Sequence, residues 1–316
     1  MSLQEKEVKI KEIELEILKL REDQEVDHTL QIQDLENTKK KLESEAYKNI
    51  TAYDRVYLAR KPDRPNVYEY IDNLFDDFIE LHGDRLYKDD GSIVGGLALF
   101  NDIPCTVIGH LKGRSVEENI KCNFGMSSPE GYRKALRLMK QAEKFNRPII
   151  TFVDTPGAYP GLEAEKNGIG EAIARNLMEM SQIKVPIIVI VIGEGNSGGA
   201  LGISIGDRIV MLENSVYSVL SPEGFSSILW KDKEGKRVQE ATELMKLTAL
   251  DLYQMKIIDK IIQEPQGGIT KKPEYVYKRL RVYIRDTLSE LMKLSKNSLI
   301  NKRYQKYREM GRATND

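Results

Sequence analysis

The stretch Gly193-Glu194-Gly195-Asn196-Ser197-Gly198-Gly199 carries the residues best suited to chemistry in this chain. It follows the β-branched apolar run 185–192 and precedes the segment 200–205, which reads as a helix. A buried strand that stops at a glycine turn and feeds a helix start leaves unpaired backbone N–H groups there, beside the positive end of the helix dipole. Gly198 and Gly199 have no side chain to hold a ligand away. An oxygen gathering negative charge could rest directly on their N–H groups, which is the physics of an oxyanion hole. Two other readings compete. The glycines could serve tight packing alone. Ser197 between Asn196 and Gly198-Gly199 would also suit a serine nucleophile of the peptidase kind. That chemistry needs a base, and spacing places none of His28, His82 or His110 beside Ser197.

A second glycine loop, Asp154-Thr155-Pro156-Gly157-Ala158-Tyr159-Pro160-Gly161, follows the apolar run 149–153. Strand–glycine loop–helix units thus occur twice, which argues an α/β architecture. Both loops then lie at the C-terminal ends of strands, where such folds bind ligands. A basic, glycine-bearing stretch comes earlier. It contains Lys112-Gly113-Arg114 and runs on through Asn123-Phe124-Gly125 into a segment with Ser128 as helix N-cap and Pro129 at the first helical position.

Composition narrows the classes. A chain of 316 residues holds one large domain or two modest ones, and 41% apolar residues suffice for a core. The formal net charge of −1 gives no reason to invoke nucleic acid or an anionic membrane. Cys105 and Cys122 are the only cysteines, so neither a multi-cysteine zinc site nor a disulfide framework is expected. No signal-type apolar segment or transmembrane-length run occurs, and the expected location is cytoplasmic.

The elements that position these loops are legible in outline. Residues 1–50 are rich in Glu and Lys and lack Gly and Pro. Ile10, Ile13, Ile17 and Leu20 follow a helical seam, and Leu35 and Leu42 resume it after the polar break 23–29. This predicts a helical hairpin, assigned to 1–55, ahead of a body at 56–316. The prolines at 62 and 65 predict an extended link, and 67–81 an amphipathic helix. Strands are expected at 93–100 and 104–110 around the turn Asn101-Asp102, then at 149–153, 185–192, 207–212 and 216–220. Tyr132, Ala135, Leu136, Met139 and Ala142 predict one helix face. Ile169, Ala172, Ile173, Leu177 and Met180 predict another. A short helix is expected at 222–230, and helices from about Arg237 onward, broken at Gln266-Gly267-Gly268. Tyr277, Leu280, Ile284, Leu288 and Leu291 form the last apolar face, and the basic tail 302–312 reads as solvated or partner-facing.

The blocks GRSVEENIKCNFGMSSPEGYRKALRLMKQAEKF, PIITFVDTPGAYPG, EAIARNL, VIGEGNSGGAL and YSVLSPEGFSSILW, in this order, resemble the α subunit of bacterial acetyl-coenzyme A carboxylase carboxyltransferase. The likeness runs from about residue 58 to about residue 307, and the N-terminal helical pair matches the family's layout. The resemblance implies a crotonase-like spiral of ββα units with C-terminal helices. It implies transfer of a carboxyl group from carboxybiotin, borne on a biotin carboxyl carrier protein, to acetyl-CoA, giving malonyl-CoA for fatty acid synthesis. A biotin carboxylase would charge the carrier. A β subunit with a zinc ribbon would complete each site in an α2β2 assembly, with no metal in this chain. By the same resemblance Gly198 and Gly199 form the hole for the biotin oxygen. Gly157, Ala158, Tyr159 and Pro160, with Asn123, Phe124 and Gly125, would line the cavity. Lys112 and Arg114 would meet coenzyme A phosphates or the carboxylate, unless they are ordinary surface cations. The sequence departs from the family pattern at Asn196, Leu162-Glu163, Ile169 and Phe225, which bears on pocket dimensions. A Ser197 peptidase of the same superfold, a non-catalytic scaffold and a carboxyltransferase for another acyl-CoA are the competing functions.

Overall fold

The computed structural model describes residues 2–23 and 26–311. The parts of the 23–29 break and of the basic tail at 24, 25 and 312 lie outside them. Eight strands form one sheet: β1 (Asp76–Glu80), β2 (Ile93–Phe100), β3 (Ile103–His110), β4 (Ile149–Thr155), β5 (Ile187–Asn196), β6 (Arg208–Leu212), β7 (Val216–Ser218) and β8 (Lys260–Ile262). The order is β1-β2-β3-β4-β5-β6-β8, and β7 pairs with the far end of β5. The first two pairings are antiparallel and the rest parallel. Every residue of β4 and β5 is buried, as expected for parallel strands covered on both faces.

Alternation along β5 divides the core. Ile188, Ile190 and Ile192 face a cluster with Val67, Tyr70 and Ile71 of helix Val67–Leu74 and Val276, Leu280, Ile284 and Leu288 of helix Pro273–Leu291. Ile187, Val189 and Val191 face Tyr132, Ala135, Leu138 and Met139 of helix Pro129–Lys144 and Ala172 and Met180 of helix Ile169–Gln182. The expected faces hold with two exchanges: Leu138 is fully buried where Leu136 is half-buried, and Asn176 is fully buried where Leu177 is half-buried. Ser128 is the N-cap and Pro129 the first helical residue, as the sequence predicts.

The N-terminal helices Leu3–Glu22 and Thr29–Tyr47 form a hairpin tied by Arg21–Glu36 and Lys39–Glu14 pairs. Ile10 and Ile17 are its buried seam. Glu7 joins the hairpin to the body: its carboxylate accepts from Tyr57 Oη at 2.9 Å and Lys61 Nζ at 3.0 Å.

Five expectations need correction. The predicted helix at 67–81 ends at Leu74, because β1 pairs with β2. Gly96 makes that pairing possible: a β-carbon there would lie 2.1 Å from the Ile79 carbonyl oxygen. Long-range pairing here overrides helical periodicity. β5 continues four residues past Ile192, since Glu194, Gly195 and Asn196 pair with β7. The helix that follows is only Ser197–Leu201, not 200–205. A short parallel strand, β8, occurs within the region read as wholly helical. The basic tail is anchored within helix Lys296–Glu309. Arg303 is 1% exposed, pairs with Asp207 at 2.7 Å and donates to the carbonyls of Met180, Ile183 and Val185.

Candidate active site

The turn after β5 is set by main-chain geometry. Asn196 is still extended, at φ −115°. Ser197 takes the left-handed conformation instead, at φ 58°. Asn196 has a different task. Its amide donates to Glu194 Oε2 at 3.2 Å and its oxygen accepts from Ser218 Oγ at 2.9 Å, tying β5 to β7 just before the turn. Gly193 and Gly195 are strand residues, required because β-carbons there would lie 2.4 Å from Asp154 Oδ1 and 2.5 Å from the Tyr217 ring.

Gly199 and Gly198 differ. A β-carbon on Gly199 would sit 2.4 Å from both the Ala158 nitrogen and the Gly157 carbonyl carbon. The packing reading of this glycine is therefore correct in part: two main chains cross there with no room for a side chain. At Gly198 the nearest atom to an added β-carbon is 3.6 Å away, on Ile173. Among the described residues nothing crowds that position enough to demand glycine. The Gly199 carbonyl accepts from Tyr132 Oη at 3.1 Å. Asn176 Nδ2 braces the same region, donating to Tyr132 O at 3.0 Å and Gly202 O at 2.9 Å.

The two other glycine loops converge on this turn. Thr155 Oγ1 lies 2.6 Å from the Gly125 carbonyl and 2.8 Å from the Gly157 carbonyl, and the Tyr159 N–H donates to Ser127 O at 3.0 Å. Asn123, Phe124 and Gly125 all have positive φ, which turns the chain sharply back toward Gly157. Gly125, Gly157, Ala158 and Gly199 are thus drawn close together beside the turn. Tyr159 instead folds over Gly161 and packs against the core; of the 123–125 and 157–160 residues expected to line the site, Phe124 lines one of the cavities beside the turn, and Asn123, Gly125, Gly157, Ala158, Tyr159 and Pro160 line neither.

One cavity, of about 250 Å³, is mostly apolar and opens on Ser197 and Gly198, with Leu201, Tyr217, Val219, Leu252 and Ile257 around it. No histidine or lysine lines it among the described residues. His28 and His82 pair with Asp23 and Asp89, and His110 is fully buried. Among the described residues the cavity therefore offers the exposed Ser197 hydroxyl no base, despite a strained backbone of the kind nucleophilic serines use.

The other cavity, of about 320 Å³, is cationic and is walled by Arg60, Arg64, Lys112, Arg114, Phe124 and Pro156, with Asp154 and Glu194 at its inner side. Lys112 is not a free cation. Its Nζ lies 2.8 Å from Asp154 Oδ1 and 2.9 Å from Glu194 Oε1, while Arg60 reaches Glu194 Oε2 at 2.8 Å. Burial pushes the Glu194 carboxyl up, but Lys112 and Arg60 outweigh it and hold it at about 2. Burial likewise disfavours the Lys112 charge, and the two carboxylates reverse that and raise its pKa. Arg114 pairs with Glu69 and stays half-exposed at the rim. Asp154 belongs to the 154–161 loop expected to line the site, whereas Arg60 and Glu194 were not singled out from the sequence. Their signal was faint, a charge beside Pro62 and an acid at a strand end. Leu162 and Glu163 point outward, and Phe225 stacks edge-on against Trp230, at 5.2 Å between ring centroids. Those departures leave both cavities unlined by them, and Ile169 is a buried core residue.

Comparison with known proteins agrees with this geometry. A family model described as acetyl co-enzyme A carboxylase carboxyltransferase-like matches residues 3–311. The acetyl-coenzyme A carboxylase carboxyl transferase subunit alpha of Oceanobacillus iheyensis is 52% identical over 304 residues, covering 96% of this chain and 95% of that one. The protein of the same name from Alkaliphilus oremlandii is 52% identical over 310 residues, covering 97% and 98%. Among solved structures, transcarboxylase 12S with methylmalonyl-coenzyme A bound superposes with a TM-score of 0.59 at 20% identity, over 74% of this chain and 42% of that chain. The beta subunit of Pseudomonas aeruginosa geranyl-CoA carboxylase superposes at 0.56 and 18%, over 79% and 46%. These structural matches bear on the fold, which is the crotonase-like α/β fold of carboxyltransferases. By sequence, matched along nearly its whole length, the chain belongs to the acetyl-coenzyme A carboxylase carboxyltransferase family as an alpha subunit.

Proposed function

We propose that this chain supplies the biotin-facing half of a carboxyltransferase site. It would act with a β subunit on carboxybiotin, delivered by a carrier protein, and on acetyl-CoA. The observation that carries this is the Ser197–Gly199 turn. Ser197 and Gly198 lie at the mouth of an apolar cavity that no histidine or lysine lines among the described residues, which supports main-chain rather than side-chain chemistry at this turn.

The chemistry asks for that arrangement. The bond between the biotin ureido nitrogen and the carboxyl carbon breaks, and its electron pair is delocalised onto the ureido oxygen. The acetyl-CoA α-carbon loses a proton and its enolate attacks the carboxyl carbon, while the ureido nitrogen ends protonated. Two oxyanions need fixed donors, and no covalent enzyme intermediate is required. Gly198 and Gly199 would receive the ureido oxygen, and the apolar wall of Leu201, Val219 and Leu252 would keep water from the carboxyl group. The cationic cavity behind the loops suits an anionic part of a substrate, and Arg114 at its rim is the cation best placed to re-pair. The β subunit would supply donors for the thioester oxygen and hold the family's zinc. An α2β2 assembly charged by a biotin carboxylase, in the cytoplasm, completes the reading.

The test is reconstitution. The purified chain, a family β subunit and their mixture are assayed for malonyl-CoA formation from acetyl-CoA and carboxybiotin. Turnover by the mixture alone is expected. A mixture that associates but transfers no carboxyl group would contradict the proposal.

A further inference from the structure

Among the described residues, His110 is the buried side chain whose two polar atoms both lack a hydrogen-bond partner. It ends β3, is fully buried and lies on the face that carries Ile108 and Tyr132. The ring sits beside the main chain of Gly199. Burial pushes the imidazole down to about 3. The nearby Gly199 main chain opposes that shift without closing a hydrogen bond to either ring nitrogen, and Lys112 adds to it. The ring is therefore neutral, with one nitrogen a donor and the other an acceptor. A buried imidazole without partners costs stability, and an apolar side chain of similar size would suit the core better. A residue that weakens the core directly beneath the glycine turn calls for a role there.

We propose that His110 is a positioning residue for the oxyanion turn. Its ring N–H would take the second lone pair of the Gly199 carbonyl when the turn engages a ligand oxygen. Tyr132 already occupies the first lone pair, at 3.1 Å. With both in place the Gly199–Ala200 peptide plane is held, and with it the Gly199 α-carbon, which anchors one end of the Gly198–Gly199 peptide that carries the Gly199 N–H. No proton is transferred. The proposal rests on reading Gly198 and Gly199 as the donors for biotin.

The test compares His110→Met with His110→Gln, side chains of near-equal length of which only Gln can donate. The assembled enzyme, with its β subunit, is assayed for kcat, KM for acetyl-CoA and Tm. The expected result for His110→Met is a kcat about tenfold lower, the size of one neutral hydrogen bond, with unchanged KM and a Tm at or above the parent's. His110→Gln should recover most of the kcat. A Met variant with parental kcat overturns the proposal. So does an equal loss of kcat and Tm in both variants, which marks a purely structural side chain. His110→Leu replaces the Met variant if the latter does not assemble. The unsubstituted assembly is run in parallel. If it transfers no carboxyl group, the functional reading has failed and this proposal falls with it; if it does, a neutral Met variant counts against His110 alone.

Discussion

The main chain of Gly157 and Ala158 crosses that of Gly199 so closely that a β-carbon on Gly199 would lie 2.4 Å from the Ala158 nitrogen. This contact locks the loop after β4 onto the turn after β5. Substituting Gly199 therefore tests packing as well as catalysis. Gly199→Ala should lose about 1–3 kcal/mol of stability, or more because the obstacle is backbone, together with most of its carboxyl transfer. Thermal unfolding checks this, and an alanine variant with a parental Tm would show that the crossing is looser than described.

Ser197→Ala separates main-chain from side-chain chemistry. The hydroxyl is exposed and no base lines its cavity, so the variant should keep most of its turnover in the assembled enzyme. Loss of turnover by a thousandfold or more, with assembly intact, would favour a nucleophilic serine. Covalent labelling of Ser197 by a serine-reactive phosphonate would point the same way.

Lys112 is the shared cation of Asp154 and Glu194. Glu194 is held at about 2, below its ordinary 4.5. A depressed carboxyl contributes stability that is fully present above its unfolded pKa. That contribution is lost as pH falls from about 4.5 toward about 2. Lys112→Met leaves two neighbouring carboxylates without it, which pushes at least one of them upward. Acid unfolding followed by circular dichroism should then begin at a higher pH than in the parent. Superimposable acid transitions would remove Lys112 from this role.

Arg303 gives the strongest stability prediction. It is buried against Asp207 and satisfies three main-chain carbonyls of the 180–185 segment. Arg303→Met strands Asp207 and those carbonyls, at a cost of about 3–5 kcal/mol in urea unfolding. A loss below about 1 kcal/mol, the worth of a surface pair, would contradict the clasp.

These residues also show what was readable from the chain. The glycine loops, the buried runs of β4 and β5 and the hairpin of β2 and β3 follow from local composition, which determines where a strand must be covered and where a turn must come. The short edge strands β1 and β8 left no periodic signal, since five and three residues are too few. Gly193 and Gly195 misled for a physical reason. They look like turn glycines, but they are strand positions cleared for the Asp154 carboxylate and the Tyr217 ring. The Arg60–Glu194–Lys112–Asp154 network joins four distant stretches of chain, and no spacing rule reaches that far. Arg303 looked like one cation among many in a basic tail, because its partner, Asp207, lies 96 residues away.

The central claim, that main-chain N–H groups of the turn hold the biotin oxygen, can be read without any substitution at the glycines. The chain is labelled with [15N]glycine, assembled with unlabelled β subunit and titrated with biotin, and the amide resonances are followed. The account predicts that the Gly198 and Gly199 amide protons move downfield as the ureido oxygen accepts from them, while Gly193 and Gly195, buried within β5, stay in place. Saturating biotin that shifts other glycines and leaves Gly198 and Gly199 unmoved would contradict it.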